Sequence, residues 1–176
     1  MKPDIFMDDF KRTEWGDAHF AALGRALVFA TRFESLCKSL NVILGVKENR
    51  SVLESEDETQ AFVNRIQKRC LAEQISSIVG KIEDLKDILD KARRARNEIV
   101  HELTLGLDRC IDSLLETDVQ YLMERLQELV VILAEADRII SFILSLVTNE
   151  HIPSPEFLKN YPEKIREWVT NIEDIC

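Results

Sequence analysis

Apolar residues recur at every third or fourth position along two long stretches of the chain. In the clearer stretch the steps alternate between three and four without a break: Val119, Leu122, Leu126, Leu129, Leu133, Ala136, Ile140, Ile143 and Val147. This spacing places the residues on one face of a helix, because an α-helix turns once every 3.6 residues. Residues 15–46 carry the same pattern. Two amphipathic helices of this length can bury their apolar faces only by packing against other helices.

Capping residues indicate where the helices begin, and glycine or proline indicates where they end. The predicted boundaries are Gly45 for the end of the first helix, Ser55 to Gly80 for the second, Lys81 to about Leu103 for the third, Thr117 as the N-cap of the fourth, and about 161–175 for a short closing helix. No segment alternates in the way a β-strand requires. The sequence therefore predicts an all-α fold, an antiparallel helical bundle of four to five helices. We expect a single domain over residues 1–176, with a core at about 15–148.

Composition limits the environment and the partners of such a bundle. With 32 acidic and 23 basic residues among 176, the formal charge is -9, which opposes a broad, sequence-independent attraction to nucleic acid or to an acidic membrane. No apolar run approaches the ~20 residues that span a bilayer, so we expect no membrane association. Asp4, Asp8 and Asp9 occupy the positions where a secretory signal would be basic and then apolar, which favours a cytoplasmic location. Cys37 and Cys70 are predicted to be small core residues.

The common catalytic and metal-binding motifs are missing from the sequence. The three histidines, His19, His101 and His151, lie far apart in the chain, and no HExxH, GxxxxGK[ST], GxGxxG or GxSxG string occurs. We therefore predict neither a metal site nor a cofactor.

One basic segment stands out from this acidic chain. Four cationic residues fall within six positions, namely Lys91, Arg93, Arg94 and Arg96, and His101 follows. A local cluster of this kind can hold a phosphate backbone even on an acidic protein, because salt screens charges beyond about 8–10 Å. Arg96 also completes the apolar stripe of the third helix. An arginine at such a position must be paired, reach out to water, or serve a site. His101 lies about 140° away from Arg96 around an ideal helix.

The string Arg96-Asn97-Glu98-Ile99-Val100-His101 resembles the signature of the HEPN superfamily (higher eukaryotes and prokaryotes nucleotide-binding). That signature is an arginine followed directly by a polar residue, with a histidine after four intervening residues. The family is also an all-helical bundle with the motif on a late helix. In outline the resemblance covers about residues 15–148, although at the level of residues it depends on 96–101.

The resemblance implies a metal-independent endoribonuclease of a toxin–antitoxin, antiviral or other defence system. It implies a homodimer in which the arginines and histidines of both chains form one composite site that cuts RNA. Arg96 would stabilise the phosphate, His101 would act as general acid or base, and Asn97 would orient the site. Lys91, Arg93 and Arg94 would bind the RNA substrate. A toxin of this type would also have a cognate antitoxin protein as a partner.

The sequence departs from the family pattern in two places, and two alternative functions remain open. The tyrosine that some toxin members carry two residues after the histidine is Leu103 here, and Arg94 is also at a spacing from His101 that the family tolerates. The first alternative is a non-catalytic HEPN-like dimer that binds RNA, nucleotide or protein. The second is a structural helical protein in which the motif occurs by chance. If the helix is regular, a single chain does not bring Arg96 and His101 together, whereas a two-fold dimer can do so.

Overall fold

The computed structural model describes residues 13–103 and 116–171, and over these residues the chain is helical, without a strand. The helices are α1 (Glu14–Glu48), α2 (Glu56–Gln67), α3 (Leu71–Val79), α4 (Lys86–Asn97), α5 (Glu116–Thr148) and α6 (Pro155–Thr170). A 3-10 turn at Glu83–Leu85 precedes α4, and a π turn at Glu98–Glu102 follows it. The all-helical prediction is confirmed, but the described part of the chain has six helices rather than four to five. None of these helices combines the length and the hydrophobicity needed to cross a bilayer.

The helices α1, α4, α5 and α6 form a bundle in which each runs opposite to the one before it. The contacts that define these directions are Arg32–Asp137 (3.3 Å) and Lys47–Val147 for α1 and α5, Lys81–Glu48 and Arg96–Glu34 (2.6 Å) for α4, and Arg138–Leu158 (3.1 Å) and Arg166–Gln127 (3.5 Å) for α6. The core lies between these helices and contains Phe33, Leu40, Leu126, Leu129 and Leu133. The apolar repeats of α1 and α5 thus bury one another, as their period requires.

The predicted second helix is broken into α2 and α3. Its capping box is present, since Ser55 Oγ accepts a hydrogen bond from the Glu58 backbone and Glu58 bonds back to Ser55 N. The break falls at Cys70, whose backbone is extended (φ -69°, ψ 164°). Cys70 is exposed, so its prediction as a core residue is wrong, whereas Cys37 is buried as predicted.

Other helix ends also differ from the predicted ones. Gly45 does not end α1; a Cβ at that position would lie 2.8 Å from Cζ of Phe62, so the glycine permits the close approach of α2. Thr117 lies inside α5 rather than at its N-cap. Ser154 caps α6 through a bond from Phe157 N, so the closing helix starts at residue 155, before the predicted 161. Residues 172–175 of that prediction lie outside the described residues.

Candidate functional site at the end of α4

The basic segment lies on α4, and one face of this helix is buried in the bundle. Leu89, Ala92, Ala95 and then Ile99 of the π turn are in the core. The residues on the opposite face are directed toward solvent, as helical geometry requires. The core contacts therefore determine which of the predicted site residues are accessible.

A π turn follows α4 directly at the motif. Leu103 N donates to Glu98 O at 2.9 Å, a bond that spans five residues instead of four. Such a turn changes the direction of the side chains that follow it, and π turns inside helices are frequent at functional sites. His101 is part of this turn. No local signal in the sequence predicts the π turn.

Arg96 is paired with α1. Its Nη2 lies 2.6 Å from Glu34 Oε2, and its Nη1 donates to Asn97 Oδ1 at 3.3 Å. Glu34 also pairs with Lys38 at 2.9 Å. Burial by itself would raise the pKa of Glu34, but Lys38 and Arg96 outweigh it and hold that pKa below its usual value. Of the three options for an arginine on an apolar stripe, the chain adopts the ion pair.

A second ion pair joins the π turn to α5. Glu98 accepts two hydrogen bonds from Arg125, from Nε at 2.6 Å and from Nη2 at 2.8 Å, and Arg125 also bonds Glu128 at 2.8 Å. Hydrogen bonds to these two carboxylates raise the pKa of Arg125. Together, Arg96 and Glu98 attach the motif to both central helices. The sequence analysis missed Glu34, Glu98 and Arg125, because pairing between distant helices leaves no pattern in the sequence.

His101 is the exposed residue of the motif at 96–101. It makes no hydrogen bond or ion pair with the part of the chain that the structure describes. His19 is buried, and burial lowers its pKa. Within one chain, Arg96 is directed toward α1 and His101 toward solvent, and no hydrogen bond joins them. The available histidine and the arginine of the motif therefore lie on different faces.

The three residues predicted to bind RNA differ in availability. Lys91 and Arg94 are exposed, and among the described residues neither has a hydrogen bond or an ion pair. Arg93 is partly buried and lies 3.7 Å from Asp90. A helical spacing of three residues puts Lys91 and Arg94 on one side of α4. His101 lies in the π turn after α4, so the α-helical period does not extend to it. Within the described residues, the two cations and His101 are all exposed and without a polar partner.

A separate polar cluster, which the sequence analysis did not find, joins α1, α5 and α6. Asp137 is fully buried in α5 and accepts a hydrogen bond from the Tyr161 hydroxyl at 2.6 Å, with Arg32 Nε 3.3 Å away. Burial raises the pKa of Asp137, although Tyr161, Arg32 and Ser141 act in the opposite direction. The cluster attaches α6 to the bundle on a side of α1 distinct from the ion pair of Glu34.

The raised pKa of Asp137 leads to a prediction for stability. Above pH 3.8, the ordinary carboxyl pKa, Asp137 loses its proton in the unfolded chain before it does so in the folded chain. The free energy of unfolding therefore falls with rising pH until the pH exceeds the folded-state pKa. We expect Asp137→Asn to remove this dependence. The free energy of unfolding of the variant, relative to the parent, then rises between about pH 4 and pH 7. Urea unfolding across this range measures it. The exposed carboxylate variant Glu150→Gln is the control, and an equal trend in both variants would contradict the prediction.

The described residues contain no group of three or more His, Cys, Asp or Glu side chains that could hold a metal ion. Comparison of the chain with models of protein families, with curated proteins and with solved structures found no match in any of the three. Function therefore has to be inferred from the residues of the site itself.

Proposed function

We propose that this chain is a metal-independent endoribonuclease of a toxin–antitoxin or other defence system, acting as a homodimer. The observation that carries the proposal is the state of His101: it is exposed, has no polar partner among the described residues, and lies in the π turn directly after the helix that carries the exposed Lys91 and Arg94. The motif to which His101 belongs resembles that of the HEPN superfamily. Its partners would be RNA, a second copy and a cognate antitoxin.

The side chains suit cleavage by the ribose 2′-hydroxyl. His101 of one copy removes the 2′-hydroxyl proton, the 2′-oxygen bonds to phosphorus, and the bond to the 5′-oxygen breaks as that oxygen takes up a proton from water. The products are a 2′,3′-cyclic phosphate and a free 5′-hydroxyl. Histidine has an ordinary pKa that suits such transfers near neutral pH. Arg96 stabilises the charge on the phosphate through its planar group of donors, held in place by Asn97 and Glu34.

The cationic side chains of α4 supply the affinity for RNA. Lys91 and Arg94 bind the phosphates on either side of the cut, and Arg93 assists after release from Asp90. This contribution depends on salt, because binding releases counterions from the RNA. The short cationic strip reconciles RNA binding with a net charge of -9.

A second candidate function is non-catalytic binding of RNA, nucleotide or protein by the same bundle. The ion pair between Arg96 and Glu34 favours it, because a paired arginine on the border of the core is explained by structure alone. In that case the exposed cations Lys91 and Arg94 bind the ligand, and His101 has no role in chemistry.

RNA cleavage in EDTA tests the proposal. Purified protein is incubated with mixed RNA beside the double variant Arg96→Ala/His101→Ala, and the mass in solution is measured for both. Cleavage by a dimeric parent, absent in a folded double variant, is the expected result. A folded dimer that binds RNA without cutting it would favour the second candidate, and one that does neither would point to a structural protein.

A mixing experiment tests whether the site is composite. When the parent exchanges subunits with the double variant, each mixed dimer contains one chain that lacks Arg96 and His101. We expect activity to fall as the square of the parent fraction, so that an equal mixture retains about a quarter of it. The control is an equal mixture with bovine serum albumin, which retains about half. A linear decrease with the double variant would show that each chain carries a complete site.

A further inference from the structure

A cavity of about 220 Å³ lies between α1, α5 and the first turns of α6. Among the described residues, its walls combine polar side chains with apolar ones. The polar ones are Arg32, Arg138, Ser141, Ser145 and Tyr161. A cavity of this kind between the helices of a bundle is a usual place for a small ligand, because apolar walls bind its body and a few polar groups orient it.

The carboxylate of Asp137, which is fully buried, holds three of these polar side chains. The Tyr161 hydroxyl donates to Asp137 Oδ2 at 2.6 Å, and the Ser141 hydroxyl donates to the same oxygen at 3.5 Å. Arg32 Nε lies 3.3 Å from Asp137 Oδ1. Burial raises the pKa of Tyr161, so its hydroxyl keeps the proton that it donates. The polar side of the cavity is therefore arranged by a network within the chain before any ligand binds.

Arg32 is only loosely held by this network. Its side chain is 50% exposed, and its contacts with Asp137 (3.3 Å) and Ser141 (3.4 Å) are longer than the roughly 2.7–2.9 Å of a strong charge-assisted hydrogen bond. Asp137 Oδ1 is buried and makes no hydrogen bond with the described residues. Because a guanidinium group carries more N–H donors than these contacts use, Arg32 has donors available for a ligand in the cavity.

The charge of the walls favours an anion. Among the described residues, the charged side chains that line the cavity are those of Arg32 and Arg138. Arg138 is fixed in place, since it donates to Leu158 O at 3.1 Å and pairs with Glu135. Asp137 has no exposed surface, so a ligand meets the guanidinium group of Arg32 and not the carboxylate behind it. A planar carboxylate matches the N–H groups of an arginine and accepts two parallel hydrogen bonds from them.

The apolar walls favour a ring or a branched chain as the rest of the ligand. They are formed by Phe142, Pro153, Phe157 and Leu158. Phe157 is 40% exposed, and its ring centroid lies 5.9 Å from that of Tyr161. A ligand in the cavity removes apolar surface of Phe157 from water. The volume equals that of about seven molecules of liquid water, which suits a single ring with a short side chain.

We propose that this cavity binds a small carboxylate with an aromatic or branched apolar body. Arg32 binds the carboxylate group, and the apolar body lies against Phe142 and Phe157. The cavity is separate from the proposed ribonuclease site, because Arg32 and Glu34 are two residues apart in α1 and therefore point about 160° away from each other. Binding in the cavity is thus expected whether or not the chain cuts RNA.

Phenylacetate is the probe for this site, beside two compounds of nearly the same size. Phenylacetamide lacks the charge, and phenethylamine carries the opposite one. Each compound is titrated at neutral pH into ¹⁵N-labelled protein, and the backbone amide signals are followed by NMR. We expect phenylacetate to cause saturable shifts at Ser141, Ser145 and Tyr161, with a dissociation constant on the order of 1 mM. The amide and the amine should bind at least ~10-fold more weakly.

Three results of this titration would overturn the proposal. The first is the absence of saturable shifts at these residues up to about 10 mM phenylacetate. The second is equal binding of phenylacetamide, which would show that the charge has no role. The third is tighter binding of phenethylamine, which would show that Asp137 rather than Arg32 recognises the ligand.

Variants of the walls locate the ligand independently. Ser145→Leu fills part of the cavity and leaves the contacts of Asp137 in place, so we expect phenylacetate to bind at least ~10-fold more weakly. Ser77→Leu is the control, at a partly buried serine of α3 that does not line the cavity, and it should bind as the parent does. Arg32→Gln should bind phenylacetate no more tightly than phenylacetamide.

Circular dichroism of each variant shows whether it is folded. If Arg32→Gln unfolds because Asp137 loses its counter-ion, Ser145→Leu still decides the matter. Parental affinity for phenylacetate in a folded Ser145→Leu would overturn the proposal, since the ligand would then lie elsewhere.

Discussion

Replacing His101 with alanine is expected to lower the rate of RNA cleavage by roughly 10²–10⁴-fold, the contribution of a general acid or base. His101 is exposed and has no partner among the described residues, so its removal leaves no buried group unsatisfied. We therefore expect the free energy of unfolding to change by less than about 0.5 kcal/mol. Initial cleavage rates of a defined single-stranded RNA in EDTA, with urea unfolding of the same preparations, measure both quantities.

His151→Ala is the matched control, since His151 is also exposed but lies outside the motif. It should cleave RNA at the parental rate. Arg96→Lys separates the structural role of the arginine from its catalytic role, because lysine retains the charge opposite Glu34 but lacks the planar set of donors. Equal cleavage by the parent and by His101→Ala would remove His101 from the mechanism.

Replacing Gln74 with alanine is expected to destabilise the fold by about 2–4 kcal/mol. The Gln74 side chain is fully buried; its Nε2 donates to Ile66 O at 2.6 Å, and its Oε1 accepts from Asn41 Nδ2 at 2.7 Å. Truncation leaves the Ile66 carbonyl, near the end of α2, without this donor, and opens a cavity between α1 and α3. A decrease of this size lowers the melting temperature by roughly 4–16 °C in a chain of this length.

Urea unfolding of Gln74→Ala beside Ser76→Ala checks this prediction. Ser76 is an exposed residue of the same helix, so its replacement should change stability by less than about 0.5 kcal/mol. The double variant with Asn41→Ala should be less destabilised than the sum of the single variants, because both remove the same hydrogen bond. Strict additivity would show that the two amides act separately.

The sequence alone determined the helical class and the location of the long helices. Apolar steps of three and four from Val119 to Val147 define one face of α5 whatever the partner is. Ser55 and Glu58 form the capping box of α2 within a single turn. These features depend on residues close together in the chain. The sequence also singled out the segment from Lys91 to His101, since a local excess of positive charge is visible without a fold. The roles assigned to its residues remain predictions.

Contacts between distant residues decided the rest. Local pattern alone continued one helix from Ser55 to Gly80. In the fold the buried amide of Gln74 donates to the Ile66 carbonyl, where α2 and α3 are separated, and accepts a hydrogen bond from Asn41. The sequence left open whether Arg96 is paired or reaches water. In the fold it pairs with Glu34, which is 62 residues away in the chain. The availability of His101 likewise depends on which neighbours are present. Short-range spacing determines which helices form, whereas only packing determines which polar groups find partners and which stay free.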